Sequence, residues 1–186
     1  MGGPGGIAPA TALFLTFLVV QRGAELLLAR RNTRRLIARG AVERGARHYP
    51  LIVALHAAWL LAIVIWGWSA PVRTGWLLVF AMLQLARIWV LASLGDRWTT
   101  RIIVLEAPLV ARGPYRWIAH PNYLVVTAEI AVAPLVLGLW PVALIFSVLN
   151  AAVLAIRIRA EARALTPLRR CAADRAPAPK RHQPPL

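Results

Sequence analysis

Gly113-Pro114-Tyr115-Arg116-Trp117-Ile118-Ala119-His120-Pro121-Asn122-Tyr123 is a polar, aromatic segment punctuated by Gly and Pro, and it runs directly into an apolar stretch that ends at Leu139. That junction decides the fold. Pro121 disfavours helical backbone at His120 and is itself suited to the first helical position, so the spacing predicts a helix beginning here with His120 as its N-cap. Unpaired N–H groups at such a helix start welcome an anion and disfavour a protonated imidazole. Tyr115 and Tyr123 add flat aromatic faces and hydroxyls, and Gly113-Pro114 supplies a turn where backbone can approach a ligand closely. Trp117 and the two Tyr residues fit equally well as interfacial anchors beside a membrane span.

Outward from this junction the chain is dominated by apolar runs. Of its 186 residues 59% are hydrophobic and eight are Trp; four or five stretches approach or exceed the roughly 20 residues needed to cross about 30 Å of hydrocarbon. The expected fold is an all-α integral membrane protein with about five transmembrane helices and a cytoplasmic loop region. Span 1 is read at about Ile7 to Ala29, span 2 at Pro50 to Ser69, span 3 at Gly75 to Leu94, and spans 4 and 5 at Asn122 to Leu139 and Pro141 to Ile156, the last two joined as a tight hairpin. Helix is expected to continue past Ile156 into water. Between spans 3 and 4, Thr99, Thr100 and Ile102 to Val104 favour a short extended arm. Met1 to Gly6 lacks the basic region of a cleavable signal peptide. Beyond Pro167, Pro177, Pro179, Pro184 and Pro185 give the tail a disordered composition.

The net charge is +15, and its distribution matters more than its size. Segments 30–47, 96–116 and 157–181 hold seven, four and eight of the 22 Lys and Arg. By the positive-inside rule this predicts an outside N-terminus, a cytoplasmic C-terminus and an odd number of spans. The charge is thus read as topology and contact with anionic membrane lipids, with no nucleic-acid partner. Cys171 is the single Cys, which excludes an internal disulfide and a multi-thiolate metal site; no metal is expected.

Arg22, Glu25, His56, Arg87 and Glu129 lie inside apolar spans, where a bare charge is costly and faces a partner or a wet cavity. Each is about four to eight residues from the cytoplasmic end of its span, or roughly 6–12 Å deep. A shared depth points to a substrate pocket in the inner-leaflet half lined by Glu25, His56, Arg87 and Glu129. The same residues also fit plain structural roles. Arg22 and Glu25 pair at i,i+3, Arg87 and Glu129 pair between helices, and His56 makes a bundle hydrogen bond. Arg157 and Glu161 have the i,i+4 spacing of a surface ion pair.

Gly113-Pro114-Tyr115, then His120-Pro121-Asn122-Tyr123, then Arg157 to Leu165 after one helical hairpin together resemble the isoprenylcysteine carboxyl methyltransferase family. Gln21-Arg22, Glu25, Arg31-Asn32, His48-Tyr49-Pro50, His56, Ser93-Leu94-Gly95 and Trp98-Thr99 extend the likeness to the family's short bacterial branch, over about residues 15 to 166. The resemblance implies a membrane-embedded methyltransferase domain over 1–166 with a basic tail over 167–186. It implies S-adenosyl-L-methionine as cofactor and a lipophilic acceptor, either a prenylcysteine-type carboxylate or, as in the polyketide-associated branch, an alkylpyrone-type hydroxyl. It further implies that Tyr115, His120, Pro121, Tyr123 and Glu161 surround the cofactor, with Arg157 near the acceptor and Arg157 and Glu161 as the catalytic pair. The family's usual Arg before His-Pro is Ala119 here, the Gly after the second Tyr is Val125, and the second of its paired Glu residues is Ala162. Two rival readings share some of these features: a nicotinamide-dependent membrane reductase of the sterol-reductase type, with its own His-Pro-Asn-Tyr element, and a non-catalytic lipid-binding membrane protein.

Overall fold

A computed structural model describes residues 7–44, 49–104 and 112–174, with side chains for 7–43, 49–104 and 112–159. Gly2 to Gly6, His48, the side chain of Glu161 and residues 175–186 of the tail lie outside the described residues. Five helices run alternately up and down: α1 Pro9–Ala38, α2 Tyr49–Gly67, α3 Thr74–Leu94, α4 Pro121–Val136 and α5 Trp140–Asp174. Four are long and apolar enough to cross a membrane. The fifth, α4, has 16 residues, or about 24 Å of helix. The protein is an all-α integral membrane protein. Leu13, Leu27, Trp66, Leu78 and Met82 stand exposed around the bundle, as lipid-facing side chains do.

Several boundaries differ from those read in the sequence. Helix α1 does not stop at Ala29 but continues through the Arg-rich stretch to Ala38, because Arg, Leu and Ala are good helix formers whatever their hydropathy. Helix α4 ends at Val136 rather than Leu139, where Gly138 takes φ +70° and turns the chain into α5. The backbone of α5 stays helical to Asp174, past the Pro167 at which the tail was expected to begin. The extended arm exists as β2 Ile102–Val104, and it has an unforeseen partner, β1 Val42–Arg44, paired antiparallel with Val42 opposite Val104.

The hydrophobic core lies toward the N-terminal end of α1, with Phe14, Leu18, Trp59, Ile63, Phe80 and Ile130 in one cluster. Phe14 and Phe80 meet edge to face at 5.4 Å between ring centroids. Helix α4 packs between α3 and α5. The tight turn after α4 is closed from outside, where the Arg73 backbone N–H donates to the Val136 carbonyl at 2.8 Å and the Arg73 guanidinium lies against Gly138. A cation over the last turn complements the helix dipole there.

One core contact repairs a backbone defect. Pro134 lies within α4 and has no N–H, so the carbonyl four residues earlier, that of Ile130, lacks its helical donor. The Trp59 indole N–H reaches across from α2 and donates to the Ile130 carbonyl at 3.1 Å. A buried carbonyl left unpaired costs about 1–3 kcal/mol. Trp59→Phe is therefore expected to destabilise the protein by about that amount in reversible detergent unfolding. In a Pro134→Ala background, which restores the donor, the hydrogen-bond part of that loss should vanish; an equal loss in both backgrounds would refute this account.

Candidate functional site

Residue by residue, the structure assembles two polar groupings. The first lies at the head of α4. Pro121 occupies the first helical position and is buried, and His120 is the N-cap, as the spacing predicted. Its imidazole makes no capping hydrogen bond; it stacks on Tyr123, with ring centroids 5.1 Å apart and planes 12° from parallel. From α5, Arg157 Nε–H donates to the Tyr123 hydroxyl at 2.9 Å, and Nη1–H donates to the Thr100 carbonyl at 2.8 Å. Arg157 thus stands where the i,i+4 spacing gave no hint, joined to the head of α4 and to the strap before β2. Tyr115 sits upstream in a 3-10 turn, Gly113–Arg116, whose Gly113 has φ +58°. A Cβ at Gly113 would come within 2.1 Å of Ser93 Oγ, so this turn rests directly on the end of α3.

The strap, Gly95 to Arg101, is tied down at both ends. Asn32, almost fully buried on α1, donates from Nδ2 to the carbonyls of Gly95 (3.3 Å) and Trp98 (2.9 Å). Trp98 is buried too, its indole N–H 3.5 Å from Asn122 Oδ1 in the first turn of α4. At the other end Arg101 Nη1 donates to both Glu43 oxygens at 2.9 Å and its guanidinium covers the Tyr49 ring at 4.4 Å. The Glu43 hydrogen bonds raise the Arg101 pKa above the ordinary guanidinium value, so it stays charged. Asn32, Tyr49, Trp98 and Thr100 were not singled out for roles from the sequence. Asn32, Tyr49 and Trp98 stood only among the residues that carry the family likeness, and Thr100 only in the extended arm.

The second grouping is the intramembrane one. Glu129, completely buried on α4, accepts from Arg22 Nη2 at 2.7 Å, from Arg87 Nη1 at 2.9 Å and from Gln84 Nε2 at 3.1 Å. Glu25 accepts from Arg22 Nη1 at 2.9 Å, from Arg87 Nη2 at 2.6 Å, from Arg87 Nε and from Gln21 Nε2. Two cations and two anions from α1, α3 and α4 close on each other, and every carboxylate oxygen is engaged. The Arg22 guanidinium also lies 5.5 Å from the Trp59 ring centre of α2. Both pairings considered from the sequence are present, merged into one network. His56 stands apart, its Nδ1–H donating at 2.8 Å to the Ile52 carbonyl of its own helix, which leaves Nε2 as the acceptor when the ring is neutral.

Comparison with known proteins gives the family of the chain. Residues 76–167, from α3 through the α4 head to Arg157 and Glu161, match the isoprenylcysteine carboxyl methyltransferase (ICMT) family. The chain belongs to that family. Membership places it among membrane methyltransferases. It is 39% identical over 159 residues to the uncharacterized protein YpbQ of Bacillus subtilis, covering 82% of this chain and 95% of that protein. An uncharacterized protein of Haemophilus influenzae is 28% identical over 106 residues, 53% of this chain and 60% of that protein. No solved structure matches. Among the described residues no cluster of His, Cys, Asp or Glu is arranged to hold a metal ion.

Removing one partner of a buried ion pair strands the other charge, at about 3–5 kcal/mol. Glu129→Ala should cost that much in reversible unfolding from detergent or bilayer. Arg35→Ala, which removes an exposed pair with Asp96 at 3.3 Å, should cost at most about 1 kcal/mol. Similar losses for the two would show that the network does not tie the helices together.

Proposed function

We propose that this membrane methyltransferase uses S-adenosyl-L-methionine to methylate an oxygen of a lipophilic acceptor, drawn from the bilayer, at the head of α4. The observation that carries the reading is the convergence of His120, Tyr123 and Arg157, three residues far apart in sequence, within the family-matched part of the chain. The residues present suit the cofactor. The head of α4, which no side chain caps, offers the positive end of a helix to its carboxylate, the exposed His120 imidazole stacked on Tyr123 offers a flat face to its adenine, and Glu161 one turn beyond Arg157 offers an acceptor to its hydroxyls or ammonium. When bound, it supplies a methyl group on a sulfonium, activated for displacement.

What the chain itself has to do is align, steer and exclude water. His120, Pro121 and Tyr123, with Tyr115 in the turn before them, hold the cofactor side. Arg157, fixed by Tyr123 and the Thr100 carbonyl, steers the acceptor oxygen and stabilises it as an oxyanion. A carboxylate is already ionised, and an enolic pyrone hydroxyl needs at most a weak base such as Glu161. No covalent intermediate on the chain is required. Ala119 replaces an Arg that would pair with a carboxylate, which favours the alkylpyrone-type hydroxyl over the prenylcysteine. In this reading Glu25, Arg87 and Glu129 bound the acceptor's path as a fixed polar wall and His56 completes it. The Arg-rich ends face the cytoplasm of a bacterial inner membrane, with the N-terminus outside.

The test is methyl transfer from labelled S-adenosyl-L-methionine by the protein in lipid, offered a long-chain alkylpyrone and a prenylcysteine analogue side by side. Label on the pyrone is expected. No label on either, together with no S-adenosylhomocysteine binding, would overturn the reading. His120→Ala and Glu161→Ala should each lower turnover by about 10²-fold or more while membrane insertion stays intact; full turnover in both would refute the site. Arg157→Ala should raise the acceptor KM more than it weakens cofactor binding, and the reverse pattern would exchange its role.

A further inference from the structure

A chain of contacts runs from Tyr49, at the start of α2, through Thr100 to Arg157, Tyr123 and His120 of the candidate site. The Tyr49 hydroxyl and Thr100 Oγ1 share a hydrogen bond at 3.2 Å, half-buried against the strap. The next atom group along, the Thr100 carbonyl, receives Arg157 Nη1–H at 2.8 Å, and the same guanidinium holds the Tyr123 hydroxyl. Tyr123 in turn carries the His120 ring. Tyr49 is itself pinned by Arg101, whose guanidinium lies over its ring and is bound to Glu43 of the β ribbon. Thr99 Oγ1–H donates to the Arg101 carbonyl at 2.7 Å and tightens the same bend.

An Arg side chain has several rotatable bonds, and holding one rotamer costs on the order of 1–2 kcal/mol of entropy. Two hydrogen bonds at fixed directions select a single rotamer, but only if both acceptors are themselves fixed. Tyr123 sits on a helix. Thr100 sits in irregular backbone just before a three-residue strand, and it needs an outside anchor.

We propose that Tyr49 is a positioning residue for methyl transfer: through Thr100 it fixes the carbonyl that selects the Arg157 rotamer, and through Arg157 the orientation of Tyr123 toward the cofactor. The inference rests on the functional reading above. It makes the β ribbon and the strap part of the machinery that sets cofactor affinity, although none of Tyr49, Thr100, Arg101 or Glu43 touches a reacting atom in that reading.

The test uses the full chain in lipid nanodiscs, with S-adenosylhomocysteine as the probe and the unliganded melting temperature as a second readout. Tyr49→Phe and Thr100→Val, each deleting one hydroxyl of the same pair, should each weaken S-adenosylhomocysteine about 2- to 10-fold. The double variant should be no weaker than either single one. Thr100→Ser, which keeps the hydroxyl, should bind as the wild type does. In an Arg157→Lys background Tyr49→Phe should have no further effect, which a merely structural Tyr49 would not obey. Additive losses, a Thr100→Ser as impaired as Thr100→Val, or an undiminished Tyr49→Phe effect beside Lys at position 157 would each overturn the proposal. If the wild type binds the probe and neither hydroxyl deletion changes affinity or melting, the positioning role falls and the methyltransferase reading stands. If the wild type does not bind it, that reading falls, and the same variants read by melting still decide whether the contacts act as one unit.

Discussion

A charge in hydrocarbon must be matched before anything else in this fold can be settled. Glu129 is fully buried and meets Arg22, Arg87 and Gln84, while Glu25 meets the same two Arg residues and Gln21. The network is electroneutral, and its donors and acceptors come from three helices, so its closure fixes how α1, α3 and α4 are rotated about their axes. Rotational phase is what hydropathy leaves open in a membrane bundle, since lipid is as apolar as the helix faces themselves. Once α4 is clocked by Glu129, the direction in which its head presents His120 and Tyr123 follows. The same demand acts on the backbone at Pro134, where the freed Ile130 carbonyl is met by the Trp59 indole.

Hydropathy and proline placement carried most of what was readable in the chain. The five apolar runs became five helices, and Pro121 put His120 at the N-cap of α4 because both effects are local. Pairings across space were not readable in the same way. The spacing of Arg22, Glu25, Arg87 and Glu129 allowed two separate pairs, but merging them requires knowing which faces of α1, α3 and α4 meet. Arg157 offered an obvious neighbour at i,i+4 whose side chain lies outside the described residues; among the described ones it bonds Tyr123 and Thr100, the latter through a backbone carbonyl that no residue type advertises. Strand β1 was missed because three residues ending an Arg-rich stretch carry no alternation, and only the partner strand makes them extended. Helix α1 was cut short because hydropathy reports where lipid ends, whereas helix continues as long as propensity permits.

The two polar groupings differ in how freely they exchange partners. In the intramembrane network every carboxylate oxygen is engaged by a protein donor, so taking one of these donors away strands a charge, at a cost of several kcal/mol; among the described residues Arg22 Nε and Gln21 Oε1 are its buried atoms without a partner. At the head of α4 the His120 imidazole makes no capping bond and is exposed, so a ligand can bind there without stranding anything. In the proposed reading the network is a fixed wall and the exchangeable contacts lie at the head of α4, although both draw on that helix.

That separation suits the proposed reaction. When an anionic oxygen attacks a sulfonium methyl, opposite charges disappear as the C–O bond forms and the C–S bond breaks. Water stabilises the separated charges more than the transition state, so a site that excludes water favours the reaction. In this proposal the helix head beside lipid supplies such a place, provided that the buried groups beneath it add no further net charge to that of Arg157. An electroneutral network beneath it meets that condition, where a lone Glu129 or a lone Arg87 at the same depth would not. In that proposal the bilayer is the low-polarity medium as well as the source of the acceptor, and the chain needs only a few fixed donors at its boundary to direct the transfer.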